Sequence, residues 1–224
     1  MKDLMRFGKR FDEERLEMVR VLTSRGISDP EVLKALGAVP RHAFVGDMWL
    51  NRAYDDSALP ISCEQTISQP FTVAFMTQLL SVRRGCKVLE VGTGSGYQAA
   101  VLSTMGARVF TIERHIELMN NARRVFDQLA LTVASKAGDG SIGWSEFAPY
   151  DRIIVTAGAP EIPPSLVKQL GEGGVLVVPI GTLSEQTMAR VTRTGGRERV
   201  EYFDGFKFVP LVGKEGWQKN RPGR

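Results

Sequence analysis

The sequence predicts an α/β protein: a doubly wound, mostly parallel sheet with helices on both faces, antiparallel strands at the C-terminal edge and a helical N-terminal extension. Three observations carry that prediction. From residue 87 to 180, short β-branched runs alternate with helical stretches. Each run is apolar along most of its length, as strands covered on both faces are. Beyond Gly181 the texture changes, because MARVTRTGGRERVEYF reads as two strands joined by a glycine turn at 194–197.

In chain order, Phe11, Leu16, Met18, Val19 and Leu22 fall mainly on one side of a helical wheel, which predicts a packing helix over 11–25. The segment ISDPEVLKALGAVP supplies an Asp29 cap, Pro30 at a first helical position and a Gly37 stop, the marks of a second short helix. Residues 1–80 are expected to form a mostly helical extension carrying a site loop, packed on a core of residues 81–224 as one domain. The core elements are KVLEV, a helix near 97–105, RVFTIE, a helix near 115–129, DRIIVTA, a helix near 164–170 and GVLVVPI. Met76, Leu79 and Leu80 are read as core, and the tail KNRPGR as a frayed terminus.

The bulk properties exclude more than they assign. The chain has 224 residues, 43% hydrophobic, and its 29 basic against 25 acidic residues describe a mixed surface that does not indicate nucleic acid. Cys63 and Cys86 stand alone, which suits two reduced cysteines and neither a disulfide framework nor a metal site. The N-terminus is charged throughout, without the apolar centre of a signal peptide, and no apolar run is long enough to span a bilayer. A cytoplasmic monomer without membrane or nucleic-acid partners is expected.

The strongest local motif is VLEVGTGSGYQAA, a strand running through three glycines into a helix. Glycines there let the chain turn tightly and let a ligand approach the backbone. Gly92, Gly94 and Gly96 give GxGxG, whereas the dinucleotide fingerprint needs its third glycine where Tyr97 stands. RVFTIE ends in Glu113, where an acid can accept both hydroxyls of a ribose. Asp139, in AGDG, lies in the loop before the next apolar strand. Each of Glu90, Glu113 and Asp139 taken singly is an ordinary loop carboxylate. At three successive strand ends they favour a nucleoside ligand without a pyrophosphate.

These residues resemble the S-adenosylmethionine-dependent methyltransferases of the Rossmann-like class, through ExGxGxG, the acid after the second strand and LGEGGVLVV. The resemblance implies S-adenosyl-L-methionine as cofactor, with Gly92 and Gly94 at its methionine end, Glu113 on its ribose, and Asp139 with Gly140 near its adenine. The acceptor is a separate question. Amino methyltransferases of nucleic acids carry a D/N-P-P-Y/F motif after the fourth strand, but here VTAGAPEIPP has no Asp or Asn before Pro163 and no aromatic after Pro164. A cytosine-carbon enzyme needs a cysteine at that edge, and both cysteines lie earlier. An acceptor that needs no activation, such as a carboxylate ionised at neutral pH, suits what is left. An RNA or small-molecule methyltransferase and a non-catalytic binding domain stay open on residues alone.

EQTISQP narrows the choice. Thr66, Ser68 and nearby backbone N–H groups can hold a carboxylate in line for attack, and no histidine stands nearby to make Ser68 a nucleophile. YDDSALPISCEQTISQPF, VPRHAFV, APYDRIIVTAGAPEIPPSLVKQL and FVPLV together resemble the protein-L-isoaspartate (D-aspartate) O-methyltransferases over nearly the whole chain. That resemblance implies isoaspartyl-containing proteins and peptides as partners, Ser68 as the active-site serine, and Thr66, Val209 and Leu211 against the substrate. It also sets Gln65, Thr66, Glu90 and Ser95 beside the cofactor. Many relatives carry glycine just before QTIS, where this chain has Ser62, Cys63 and Glu64. Without the resemblance, Ser68 reads as a hydroxyl capping the helix that starts near Pro70. His42 and His115 are expected to be structural or surface residues.

Overall fold

The computed structural model describes residues 2–218, with side chains from residue 9 onward; the KNRPGR tail lies outside that range. The N-terminal extension holds α1 (Lys2–Ser24), α2 (Pro30–Ala38), a two-stranded ribbon of β1 (Leu59–Pro60) and β2 (Thr66–Ile67), and α3 (Pro70–Leu80). The Asp29 side chain caps α2 by accepting from the N–H groups of Glu31 and Val32. Gly37 does not end this helix; the chain leaves it at extended Val39, whose helical conformation the following Pro40 disfavours. The extension also contains more extended structure than its sequence suggests. Thr66 and Ile67, read as loop, pair antiparallel with Pro60 and Leu59.

The core follows as β3 (Lys87–Val91), α4 (Tyr97–Thr104), β4 (Arg108–Glu113), α5 (Ile116–Gln128), β5 (Val133–Ala137), β6 (Tyr150–Val155), α6 (Pro164–Lys168), β7 (Leu170–Gly181), β8 (Gln186–Thr194) and β9 (Arg197–Phe206). The seven strands run in the order β5-β4-β3-β6-β7-β8-β9. β5 through β7 are parallel, and β8 and β9 turn antiparallel at one edge.

Alternation along the strands builds two apolar layers. Val88, Ile154, Val175 and Val177 pack with α1 to α4 in one cluster, while Leu89, Val91, Ile153, Val155, Leu176 and Val178 pack with α6 and Leu211 in the other. The first cluster reaches from Phe11 to Met188, so extension and sheet share one core. In VPRHAFV, Arg41 ties them together and His42 packs within the extension. Arg41, fully buried, donates Nε–H to the Ala53 carbonyl at 2.8 Å and lies over the Tyr97 ring at the start of α4. His42 stacks on Phe11 at 4.1 Å with Nδ1 2.8 Å from the Tyr54 hydroxyl, and burial holds its pKa below the usual histidine value.

Candidate active site

The strand order reverses about β3, with β4 and β5 on one side and β6 and β7 on the other. Open sheets bind ligands outside the carboxyl ends of strands at such a switch point. Here the ends of β3, β4 and β6 open into a cleft lined by the glycine loop, Glu113, Thr156, the ribbon residues 65–68 and residues 209–212 of the C-terminal segment.

The glycine loop is held by its surroundings. Gly92, at φ +96°, donates its N–H to the Ile112 carbonyl at 2.8 Å, while the Thr156 hydroxyl donates to the Gly92 carbonyl. A Cβ at Gly92 would lie 2.5 Å from Thr156 Oγ1. Positive φ and close approach together demand glycine. Glu113 is buried, with Oε2 accepting from Gly94 N–H and Oε1 from His115 N–H, each at 2.9 Å. Each oxygen keeps acceptor capacity on the cleft side, which fits a vicinal diol.

The opposite wall is lighter. The β1–β2 ribbon turns through Cys63 and Glu64, both in the left-handed region at φ 58° and 57°. Gln65 and Ser68 are half-buried and Thr66 exposed at the cleft edge. Ser68 does not cap α3: the N-cap is Gln69 without a side-chain bond, and the Phe71 N–H at the helix start goes to Asp56 at 2.8 Å. Ser68 lines the cleft. The third wall, carrying Val209 and Leu211, is pinned to the segment after β6: Gly158 N–H donates to the Val209 carbonyl and Leu211 N–H to the Gly158 carbonyl, both at 2.8 Å.

Ten of the twelve residues singled out from sequence therefore border one cleft: Gln65, Thr66, Ser68, Gly92, Gly94, Ser95, Glu113, Gly140, Val209 and Leu211. Glu90 and Asp139 do not. Glu90 points into the core, wholly buried, with Oε2 accepting from the Thr111 hydroxyl at 2.5 Å. Asp139 spends its carboxylate on the chain itself, Oδ1 on the Ser141 N–H and hydroxyl and Oδ2 on the Lys214 N–H at 2.7 Å. It clamps the C-terminal segment that forms the third wall. His115 and Thr156 line the cleft without having been chosen from sequence; the position of Thr156, just past an apolar strand, was the available signal.

Residues 13–216 match the family described as protein-L-isoaspartate(D-aspartate) O-methyltransferase. The chain belongs to this family. Among its relatives, the protein-L-isoaspartate O-methyltransferase of Salinibacter ruber is 53% identical over 218 residues, covering 92% of this chain and 95% of its own. That of Chlorobaculum tepidum is 55% identical, with 92% and 98% covered. A solved protein-L-isoaspartate O-methyltransferase superposes with a TM-score of 0.82 at 31% identity, over 90% of this chain and 67% of that one. A Plasmodium falciparum structure described as this type of enzyme, in complex with S-adenosyl-L-homocysteine, gives 0.78 at 25% identity, over 88% and 98%. This methyltransferase is an S-adenosylmethionine-dependent enzyme, and the cradle at Gly92 and the two-oxygen acceptor at Glu113 fit that cofactor.

Proposed function

We propose that this methyltransferase esterifies the free carboxylate of L-isoaspartyl residues in damaged proteins and peptides, with Ser68 aligning the acceptor. The observation that carries the reading is the hydroxyl pair Thr66 and Ser68 on the cleft wall beside the glycine loop, with the helix-start N–H beyond it satisfied by Asp56 instead. The cofactor supplies an electrophilic methyl group. Everything else falls to the chain. Glu113 accepts the ribose hydroxyls, Gly92, Gly94 and Ser95 border the methionine end, Gly140 borders the adenine, and Thr66 and Ser68 donate to the acceptor carboxylate. An acceptor already ionised at neutral pH needs no base, and no protein-bound methyl forms on Ser68. Val209 and Leu211 hold the backbone around the damaged residue. The ester then makes the carbonyl a better target for the neighbouring backbone nitrogen, which closes a succinimide that reopens partly to aspartate.

A cytoplasmic setting suits this work, since Cys63 and Cys86 are both unpaired; no helix among the described residues is long and apolar enough to cross a membrane. The deciding experiment offers labelled S-adenosylmethionine with an isoaspartyl peptide, its L-aspartyl twin and RNA. Base-labile ester on the isoaspartyl peptide at a far higher rate than on its twin is the expected result. Comparable rates on both peptides, or methylated RNA, would overturn the assignment.

A further inference from the structure

Glu90 is a buried carboxylate for which the alignment of cofactor and acceptor has no use. It lies on β3, two residues before Gly92 of the cleft wall, and one of its oxygens, Oε1, has no hydrogen-bond partner. The other joins a run of hydroxyls. Thr111 Oγ1 is 2.5 Å from Oε2, Thr93 Oγ1 is 2.6 Å from Thr111 Oγ1, and Thr93 lines the cleft. The groups facing Glu90 offer it no cation. β4 presents Thr111 directly opposite and Glu113 two positions on, β6 presents Ile154, and α4 presents the backbone of Ala99.

An isolated ionised carboxylate in such a place is costly, and the group responds by holding its proton. Burial, with Glu113 adding to it against the opposing Thr111 hydroxyl bond and the nearby Ala99 backbone, pushes the Glu90 pKa up to about 8. The cofactor changes this environment in a way its demethylated product does not, because one carries a sulfonium cation and the other is neutral at sulfur. At low dielectric a unit charge acts strongly over several ångströms.

We infer that Glu90 is the protonatable counter-charge of the cofactor cleft: neutral in the free enzyme, ionised when the sulfonium cofactor is bound, and neutral again after the methyl group has left. This rests on the cofactor reading and not on the identity of the acceptor. On binding, the Glu90 carboxyl O–H, which in the neutral form donates from Oε2 to Thr111 Oγ1, breaks, and its proton passes by way of the Thr111 and Thr93 hydroxyls to water in the cleft. In the transfer, the acceptor oxygen gains its bond to carbon as the sulfur–carbon bond breaks, so acceptor charge and sulfonium charge cancel. Glu90 then takes a proton back from water. The product is left without the counter-charge that favoured the substrate, which promotes its exchange.

Calorimetric titration in buffers of different ionisation enthalpy counts the protons. With S-adenosylmethionine near pH 7, release of most of one proton per site is expected beyond that with S-adenosylhomocysteine, and Glu90→Gln should erase the difference while proton exchange by the ligands' own amino groups persists. S-adenosylmethionine affinity should rise with pH, by up to about tenfold per unit, until pH reaches the free-enzyme pKa of Glu90, and the S-adenosylhomocysteine affinity should not follow it. Infrared spectra of the unmodified enzyme give a second readout that survives a misfolded variant: a buried protonated carboxyl band that disappears with S-adenosylmethionine and stays with S-adenosylhomocysteine. Equal proton release with both ligands, a difference that survives in Glu90→Gln, or a band unmoved by either ligand would overturn the inference. Failure of either ligand to bind would remove it together with the cofactor reading, whereas failure to methylate isoaspartyl peptide would leave these measurements standing.

Discussion

The glycine loop at 91–97 and the ribbon at 59–68 line the same cleft, yet they reach their shapes by different means. The loop leads out of β3, which lies between β4 and β6, is braced by the Thr156 hydroxyl and by Glu113, and places glycine at φ +96°, +53° and +92°. The ribbon pairs over only two residues on each side and puts Cys63 and Glu64 where glycine would be at ease. On the proposed assignment, a cofactor common to every turnover would meet rigid, core-anchored backbone, and an acceptor embedded in varied polypeptides would meet a short ribbon and the C-terminal segment that Asp139 and Gly158 pin in place. Altering the loop should therefore destroy cofactor binding, and altering Ser68 after the ribbon should change turnover with binding intact.

The largest break in that contrast is Gly92→Ala. A methyl group there meets Thr156 Oγ1 at 2.5 Å in a backbone conformation that alanine resists. The left-handed strain alone is of order 1–3 kcal/mol, and the clash adds to it. S-adenosylmethionine binding should fall below calorimetric detection; affinity within tenfold of the parent would mean that the loop yields easily and that the contrast is wrong.

Next comes the pH dependence of stability, which belongs to the buried side alone. With the Glu90 pKa raised from 4.5 to about 8, the unfolded chain gives up this proton before the folded one does. The stabilisation is complete below pH 4.5 and is lost as pH rises to about 8, at no more than about 1.4 kcal/mol per pH unit. Urea unfolding of Glu90→Gln should lack that component across the window. Parallel pH profiles for the two proteins would take Glu90 out of the account.

Two single-contact changes then separate the walls. Glu113→Ala should weaken S-adenosylmethionine binding by about 1.5 to 3 kcal/mol, the scale of a hydrogen bond to a charged group. Ser68→Ala should lower turnover by about ten- to a hundred-fold and leave cofactor affinity nearly unchanged. Full activity in Ser68→Ala would reduce the ribbon to a wall, and labelled methyl found on Ser68 that chases into product would replace in-line transfer with a covalent route.

Sequence patterning made the sheet legible where burial forced it. KVLEV, RVFTIE, DRIIVTA and GVLVVPI all became strands, and the glycine turn joined β8 to β9. β5 escaped because VASKA sits at an open edge with alternating exposure and carries no apolar run. β1 and β2 escaped for a related reason, since a two-residue ribbon has no period to detect. Among the site residues, those lying on the turns after β3 and β4 were visible because strand-end position is itself the signal. Asp139 occupies such a place too, but its partners Ser141 and Lys214 include one that is far away in sequence, and no local pattern reports a tertiary clamp.

The smallest expected effect tests the ribbon's strain directly. Cys63 and Glu64 occupy left-handed backbone, which costs a non-glycine residue about 1–2 kcal/mol. Replacing Cys63 with glycine removes that cost but returns conformational freedom to the unfolded chain, worth about 0.4–1 kcal/mol in the other direction. The net gain for Cys63→Gly should be about 0.5 kcal/mol in urea unfolding, with the Cys63 Sγ contact to Glu117, at 3.8 Å, too long to offset it. Cofactor affinity should not move, because the glycine loop is braced from β4 and β6 and not from the ribbon. Turnover is the informative quantity: if the strained turn holds Thr66 and Ser68 in line with the acceptor, relaxing it should lower the rate several-fold even as stability rises. A variant that is more stable and equally active would show that the ribbon tolerates its strain without using it, and a destabilised one would show that Cys63 is not strained at all.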